Sequence, residues 1–362
     1  MPWAWGEPAA WSCGSGADSA MARKRVTLRE VAKTAGVHIS TASRALNPNS
    51  RHLINSEIVS RIVKISQELD YRQNAAAYSL KTNRTRTIGV IIPDITNAIF
   101  PPIIRGIEDS LAMGGYLAMV GNTDGVHERE RNLLDTFLAR GVDGLVLASV
   151  ERQDDALERA RAENTPIVTV NRQVDRDNVS SVVHDETEGI RRVLTHLASL
   201  GHRKVAMIAG PQTSSTGAMR YAAFQKFRSA LRLEKDERLA AFASAYNEAA
   251  GEQGVEELIA GGGEFTAIVC GNDRLAIGAM AALARLKLRC PEDVSITGYN
   301  DMSMVDRIDP PLTTVRIQQY RMGREAGAML QRMIGGQTQA QHIVLPVELM
   351  IRGSTAAVRR NG

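Results

Sequence analysis

Four polar side chains stand where short groups do recognition chemistry. Asp185, Asn272 and Asn300 follow three separate apolar, strand-like runs, and their short side chains suit hydrogen bonding to hydroxyl groups. Arg220 stands near the start of an amphipathic segment, and a guanidinium fork binds a carboxylate, a phosphate or vicinal hydroxyls through paired donors. Ile99 and Phe100 follow the first apolar run, and an aromatic ring there stacks on the face of a sugar or a base. Each polar residue has a competing role as a strand-end or helix cap.

Other chemistries lack their residues. No G-x-G-x-x-G follows a strand and no G-x-x-x-x-G-K-[ST] occurs, so the phosphate loops of dinucleotide and nucleotide enzymes are missing. Neither a G-x-S-x-G elbow nor an H-E-x-x-H helix is present. The seven histidines are scattered without metal-ligand spacing, and Cys13, Cys270 and Cys290 form no C-x-x-C pair. No enzyme, cofactor or metal is expected.

The elements that position these residues fall into two regions of different charge. The chain has 362 residues and a net charge of +4, yet residues 21–87 alone carry +9. A small basic head on a near-neutral body suits a polyanionic partner. No apolar run is long enough to span a bilayer, so no membrane is expected. Residues 1–20 hold all three tryptophans without helical or strand period, and Met21 opens a new, basic segment. They are expected to be a disordered or mispredicted extension.

Residues 21–70 read as three short helices. Thr27 and Glu30 form a capping box before Val31 and Ala32, Gly36 supplies a tight turn, and a second helix runs over 40–46 with Ala42 and Leu46 inward. Asn55 caps a third helix, in which Ile58, Ile62, Ile65 and Leu69 repeat at helical spacing. Two short helices joined by a glycine turn and braced by a third make a helix-turn-helix. Residues 71–87 form a hinge: a short helix former, 75–81, then a polar basic linker. An isolated helix this short is marginal in water, so it forms only against a partner.

Beyond residue 88, apolar runs alternate with amphipathic ones. Strands are predicted at 88–92, 116–121, 144–148, 167–170, 180–184, 204–209, 239–242, 267–270 and 295–299. Helices are predicted at 103–112, 128–140, 187–200, 219–231, 251–260 and 273–286. This alternation implies parallel sheets covered on both faces, and the strand count calls for two doubly wound subdomains.

The stretch VTLREVAKTAGVHISTASRALN resembles the DNA-binding head of the lactose/galactose repressor family. It departs from the family pattern at His38, where a serine usually caps the second helix, and at Ala42, where valine is usual. The resemblance continues through RGVDGLVL, LGHRKVAMIAGP, CGNDRLAIGAM and PEDVSITGYND, covering nearly all of residues 25–355. It implies an all-α helix-turn-helix head on an α/β core like that of periplasmic binding proteins. Ile39, Ser40 and Arg44 would then read base edges in the major groove, Arg44 with the two-pronged donor geometry that suits guanine O6 and N7. Thr27, Thr41, Ser43 and Asn47 would suit contacts to phosphate, which position without specifying. Tyr78, Leu80 and Lys81 would lie in a hinge helix, with Leu80 wedged into a central base step of the minor groove. The chain would cross between subdomains near 170, 316 and 340, giving 88–170 plus 317–339 and 171–316 plus 340–356. An effector would sit between them against Ile99, Phe100, Asp185, Arg220, Asn272 and Asn300. Asn300 stands where the family usually has aspartate, which favours an acidic or phosphorylated ligand.

The expected function is a ligand-responsive transcriptional regulator, a repressor in sign, binding a palindromic DNA operator. A sugar, sugar acid or related metabolite would be its effector. It would be cytoplasmic and nucleoid-associated. The C-terminal stretch carries no leucine heptads, so a homodimer is expected and not a tail-assembled tetramer. The alternative is a solute-binding protein, which shares the core but leaves the basic head without a role. A third reading, an enzyme acting on sugars or nucleosides, would require turnover of a ligand.

Overall fold

Thr27 and Glu30 cap each other at the start of the first helix, α1 (Leu28–Thr34): Thr27 N–H donates to Glu30 Oε2 at 2.7 Å and Glu30 N–H to Thr27 Oγ1 at 3.3 Å. This computed structural model describes residues 26–47, 50–72, 84–154 and 156–358. The chain divides into a small unit ending at Lys81 and a large one beginning at Thr82. Residues 1–20 and the hinge positions Tyr78, Leu80 and Lys81 lie outside the described residues.

In the small unit, Gly36 turns the chain at φ 64° between α1 and α2 (Ile39–Leu46). His38 caps α2: its Nδ1 accepts from Ser40 N–H at 3.3 Å and lies 2.7 Å from Ser40 Oγ. The imidazole thus does the work expected of serine. A 3-10 turn (Arg51–Leu53) precedes α3 (Ser56–Glu68), which Asn55 caps. Val31, Ala32, Ala35, Ala42, Ala45 and Ile62 form the core. On α2 the second inward residue is Ala45, three positions after Ala42, and Leu46 packs only at the rim. The last carbonyls of α2 are satisfied from the following loop, where Ser50 Oγ donates to Arg44 O and Arg51 Nε to Ala45 O.

The large unit runs β1 (Thr87–Ile92), α4 (Phe100–Met113), β2 (Leu117–Asn122), α5 (His127–Ala139), β3 (Gly144–Leu147), α6 (Ala156–Ala162), β4 (Ile167–Val170), β5 (Ser180–His184), α7 (Glu186–Ser199) and β6 (Val205–Ala209). It continues with α8 (Ser215–Ala230), β7 (Ala240–Phe242), α9 (Glu248–Ala260), β8 (Ala267–Cys270), α10 (Asp273–Arg285), β9 (Ser295–Asn300), β10 (Thr313–Arg316), α11 (Gln319–Ile334), β11 (His342–Leu345) and β12 (Glu348–Met350). One sheet has the order β11-β5-β4-β3-β1-β2 and is wholly parallel. The other has the order β12-β10-β9-β8-β6-β7, with β12 antiparallel at its edge. Each sheet buries both faces, as apolar strands without polar alternation require. Along β1, Ile88, Val90 and Ile92 enter one apolar cluster while Ile91 enters another. Along β6, Ala206 and Ile208 face one cluster and Val205, Met207 and Ala209 the other.

The sheets correct two expected boundaries. β5 and β11 both pair within the first sheet, β11 beside β5, so the crossings expected near 170 and 340 fall after His184 and after Leu345 instead. The remaining crossing lies between Arg316 and Gln319. The first lobe therefore spans 87–184, 319–334 and 342–345, and the second 186–316 and 348–350 with the segment that follows. Helix α11, absent from the predicted helices, carries Gly323 and Gly327 in its interior. They are there for close packing: a Cβ on Gly323 would lie 2.0 Å from the carbonyl oxygen of Ile103 on α4.

Candidate functional site

The face of α2 is the first candidate. Ile39 is 39% exposed, and Ser40 and Arg44 are exposed with it. The three share the solvent face of a helix whose other face, Ala42 and Ala45, is buried in the head's core. Thr27 is also exposed, while Thr41, Ser43 and Asn47 are half-buried on the flanks.

The second candidate is a cavity of about 500 Å³ between the two lobes of the large unit. Its walls come from the carboxyl ends of β1 to β4 in one lobe and β6 to β9 in the other. Carboxyl ends of parallel strands, where the connecting loops diverge, are the expected place for a ligand. Ile99, Phe100, Arg220, Asn272 and Asn300 line it. Asp185 does not. Its Oδ1 accepts from Glu188 N–H at 2.9 Å and caps α7, the structural role that competed with hydroxyl recognition. Asn272 does both: it caps α10 by accepting from Leu275 N–H at 2.8 Å and also lines the cavity.

Arg220 is engaged differently from the expectation. It is 2% exposed, and its Nε and Nη2 donate to the two oxygens of Glu186 at 2.6 and 3.1 Å. Nη1 donates to Gly271 O at 2.6 Å, and the guanidinium lies 3.7 Å over the Tyr299 ring. Its bidentate edge thus faces a protein carboxylate, leaving two of five N–H groups for anything else. Burial works against its charge, and Glu186 outweighs that and raises its pKa. Arg220 is a charged strut of the second lobe that also touches the cavity.

Two residues that sequence reasoning missed are more open to a ligand. Asn171 and Arg172 directly follow β4 and line the cavity. Arg172 Nη1 donates to Ser149 O at 3.1 Å. Burial pushes its pKa down, against the pull of nearby Glu130 and Glu151. Asn171 Oδ1 and Asn300 Oδ1 are buried without a hydrogen-bond partner. Asn300 is held at φ 111°, with Asp301 and Met304 also left-handed after it. A strained backbone kept at a strand end is an observation that points to function. The signal that could have found Asn171 is the one that found Asn300: a short polar side chain directly after a predicted strand, 167–170.

Two buried titratable groups stand at element ends outside the cavity lining, Asp273 at the start of α10 and His184 at the end of β5. Asp273 accepts from Met302 N–H at 2.8 Å and from Thr314 Oγ1, and burial pushes its pKa up to about 7. His184 accepts from Gln318 N–H at 3.1 Å, tying two of the crossings together. Burial, then the charge of Arg220, pushes its pKa down to about 3.

Among the described residues no group of histidine, cysteine and carboxylate side chains could hold a metal, and no helix is long and apolar enough to cross a membrane. Residues 27–74 match the family described as bacterial regulatory proteins, lacI family, and residues 194–355 match a periplasmic binding protein-like domain. The HTH-type transcriptional repressor CytR of Escherichia coli (strain K12) is 30% identical over 338 residues, covering 92% of this chain and 97% of that protein. A lac repressor dimer bound to operator and the anti-inducer ONPF superposes with a TM-score of 0.80 at 27% identity, over 92% of this chain and 100% of that one. A complex of the transcriptional regulator CelR with cellobiose matches with a TM-score of 0.69 at 28% identity, over 91% of this chain and 100% of that one. With a regulatory head, a two-lobed binding core and relatives aligned along almost their whole length, this chain belongs to the lacI family of bacterial regulatory proteins.

Proposed function

We propose that this chain is a ligand-responsive, DNA-binding repressor that grips a palindromic operator as a homodimer and takes a polyhydroxylated small molecule between its lobes. One observation carries the DNA half: α2 turns Ile39, Ser40 and Arg44 to solvent from a packed three-helix head. In this reading Arg44 reads a guanine, Ile39 meets a thymine methyl, and Ser40 bonds a base edge weakly. Thr27, Thr41, Ser43 and Asn47 hold phosphates. Tyr78, Leu80 and Lys81 belong to the hinge, where Leu80 wedges into the minor groove. The lac repressor dimer on its operator supports this arrangement, with one head per half-site.

The effector half rests on the cavity. Two buried, unpartnered carboxamide oxygens, from Asn171 in one lobe and Asn300 in the other, call for hydroxyl donors between them. Phe100 and Ile99 offer an apolar wall, Asn272 a further polar contact and Arg172 a charged one. CelR with cellobiose supports a carbohydrate-like occupant. The occupant acts through its different affinity for two lobe arrangements, which set the spacing of the paired hinges. The protein works in the cytoplasm, on nucleoid DNA, and turns over nothing.

Selection from random duplex DNA by the full chain at physiological salt tests this. The expected outcome is a palindrome with a pyrimidine–purine centre, enriched either without additions or with a metabolite extract. No enrichment under either condition would overturn the repressor reading.

A further inference from the structure

The three crossings are not the only links between the lobes. They run through β5 and β11 of the first lobe and β10 and β12 of the second, at one edge of each sheet. Away from that edge, loops of the two lobes touch directly. Arg152 N–H donates to Thr213 O at 2.9 Å, Thr213 Oγ1 to Glu151 Oε1 at 2.8 Å, and Gln173 N–H to Ser215 Oγ at 2.9 Å. At the end of β1, a charged contact joins residues 180 apart in sequence: Arg274 Nη1 donates to Asp94 Oδ2 at 2.7 Å.

Both partners of that contact are pre-positioned. Arg274 is held on its own lobe by Glu248, whose two oxygens accept from Nε and Nη2 at 2.8 Å each. Glu248 is close because α9 and α10 touch backbone to backbone: a Cβ on Gly278 would lie 1.9 Å from Glu248 O. The fork is therefore fixed and its remaining arm reaches across. Asp94 uses Oδ1 for its own loop, accepting from Thr96 N–H at 2.9 Å and Thr96 Oγ1 at 2.6 Å. Its Oδ2 is turned to the other lobe. The side chains are 17% and 33% exposed, so solvent screens the pair only in part.

We propose that Asp94 and Arg274 form a clasp whose charge holds the two lobes shut, whatever occupies the cavity. A hydrogen bond to a neutral partner is weaker than a charge-assisted one, so losing the charge frees the lobes to part about their crossings. A clasp near the rim also answers to ionic strength, because the screening length falls below about 10 Å as salt passes about 0.1 M. An effector of this chain thus acts on an equilibrium already biased towards closure.

The test needs neither ligand nor DNA, so its failure would leave the proposed function standing. Hydrogen exchange is followed in the full chain at the amides of Arg152 and Gln173, which donate across the cleft from loops other than that of Asp94. Asp94→Asn keeps the Oδ1 turn and removes the charge. Exchange at those two amides is expected to rise by about tenfold, equivalent to about 1.4 kcal/mol of opening free energy. The strand amides of Val90 and Val269 report the fold and should not change. Raising KCl from about 50 mM to about 500 mM should speed the two amides in the parent chain and not in the variant. Unchanged exchange with intact strands, or equal salt sensitivity in both chains, overturns the clasp. If Val90 also accelerates, Arg274→Gln decides: acceleration confined to the two bridging amides supports the clasp, and any other pattern overturns it.

Discussion

Arg44 and Arg220 are the same side chain put to opposite uses, and the regions around them differ accordingly. Arg44 stands in solvent on α2, in a head whose core is six small or branched residues. Its backbone carbonyl is satisfied by Ser50, and its guanidinium is turned outward. Arg220 is buried, with Glu186, Gly271 and Tyr299 on three sides. The head keeps its proposed DNA-contacting groups outside and its core apolar, so the proposed function and stability are separable there. The core builds its cavity from groups that also hold the lobe together, so the two are entangled.

The sharpest way to break that contrast is to delete the two arginines in turn. Arg220→Ala leaves Glu186 as a buried carboxylate without its partner, and such a deletion costs about 3–5 kcal/mol. Urea unfolding of the large unit should show that loss. Replacing both members, with Glu186→Gln and Arg220→Met, should recover much of it, because no charge is left stranded. A loss confined to ligand response, with unfolding unchanged, would mean that Arg220 is a ligand group and not a strut.

Arg44→Ala should do the reverse. Unfolding of the head is expected to stay within about 0.5 kcal/mol, since the side chain is exposed. Operator affinity should fall by about 1–3 kcal/mol, with specificity relaxed at one base position. Binding measured against a set of single-base variants checks this. An equal loss on every sequence would make Arg44 a phosphate contact.

The same contrast explains what could be read from the sequence. The head is local: its capping box, its glycine turn and its third-helix period are each set by residues a few positions apart, so Thr27, Gly36, Asn55 and Ile62 were legible. Nine strands of the core were legible because each reads as an apolar run; most are buried on both faces, while β2 and β7 are apolar but partly exposed at sheet edges. β10, β11 and β12 were not, being short strands at or next to the sheet edges with polar or half-exposed residues. Missing β11 and assigning β5 to the second lobe misplaced two crossings. Asp185 was misplaced for a different cause, and the ion pair that engages Arg220 was invisible for the same one. Strand-end position is visible in sequence, but whether a polar group faces a ligand or a neighbour depends on contacts such as Arg220–Glu186, 34 residues apart.

The entanglement also predicts a pH dependence in which two buried groups oppose each other. Asp273 has a folded pKa of about 7, above its ordinary carboxylate value of 3.8. Its contribution is fully present below about 3.8 and is lost as pH rises through about 7. His184 has a folded pKa of about 3, below its ordinary 6.5. Its contribution is fully present above about 6.5 and is lost as pH falls through about 3. Between about 4 and 6.5 the two slopes have opposite sign and similar size, up to about 1.4 kcal/mol per pH unit each. The parent core should therefore look nearly flat with respect to these groups. Asp273→Asn should unmask a fall in stability as pH is lowered through that window, and His184→Gln a rise. Each substitution shifts the baseline by the hydrogen bonds it disturbs, so the slope of urea stability against pH is the quantity to compare, not its value at one pH. Parallel slopes in all three chains would mean that these side chains are as well solvated as Arg44, and the contrast between head and core would fail at its most buried point.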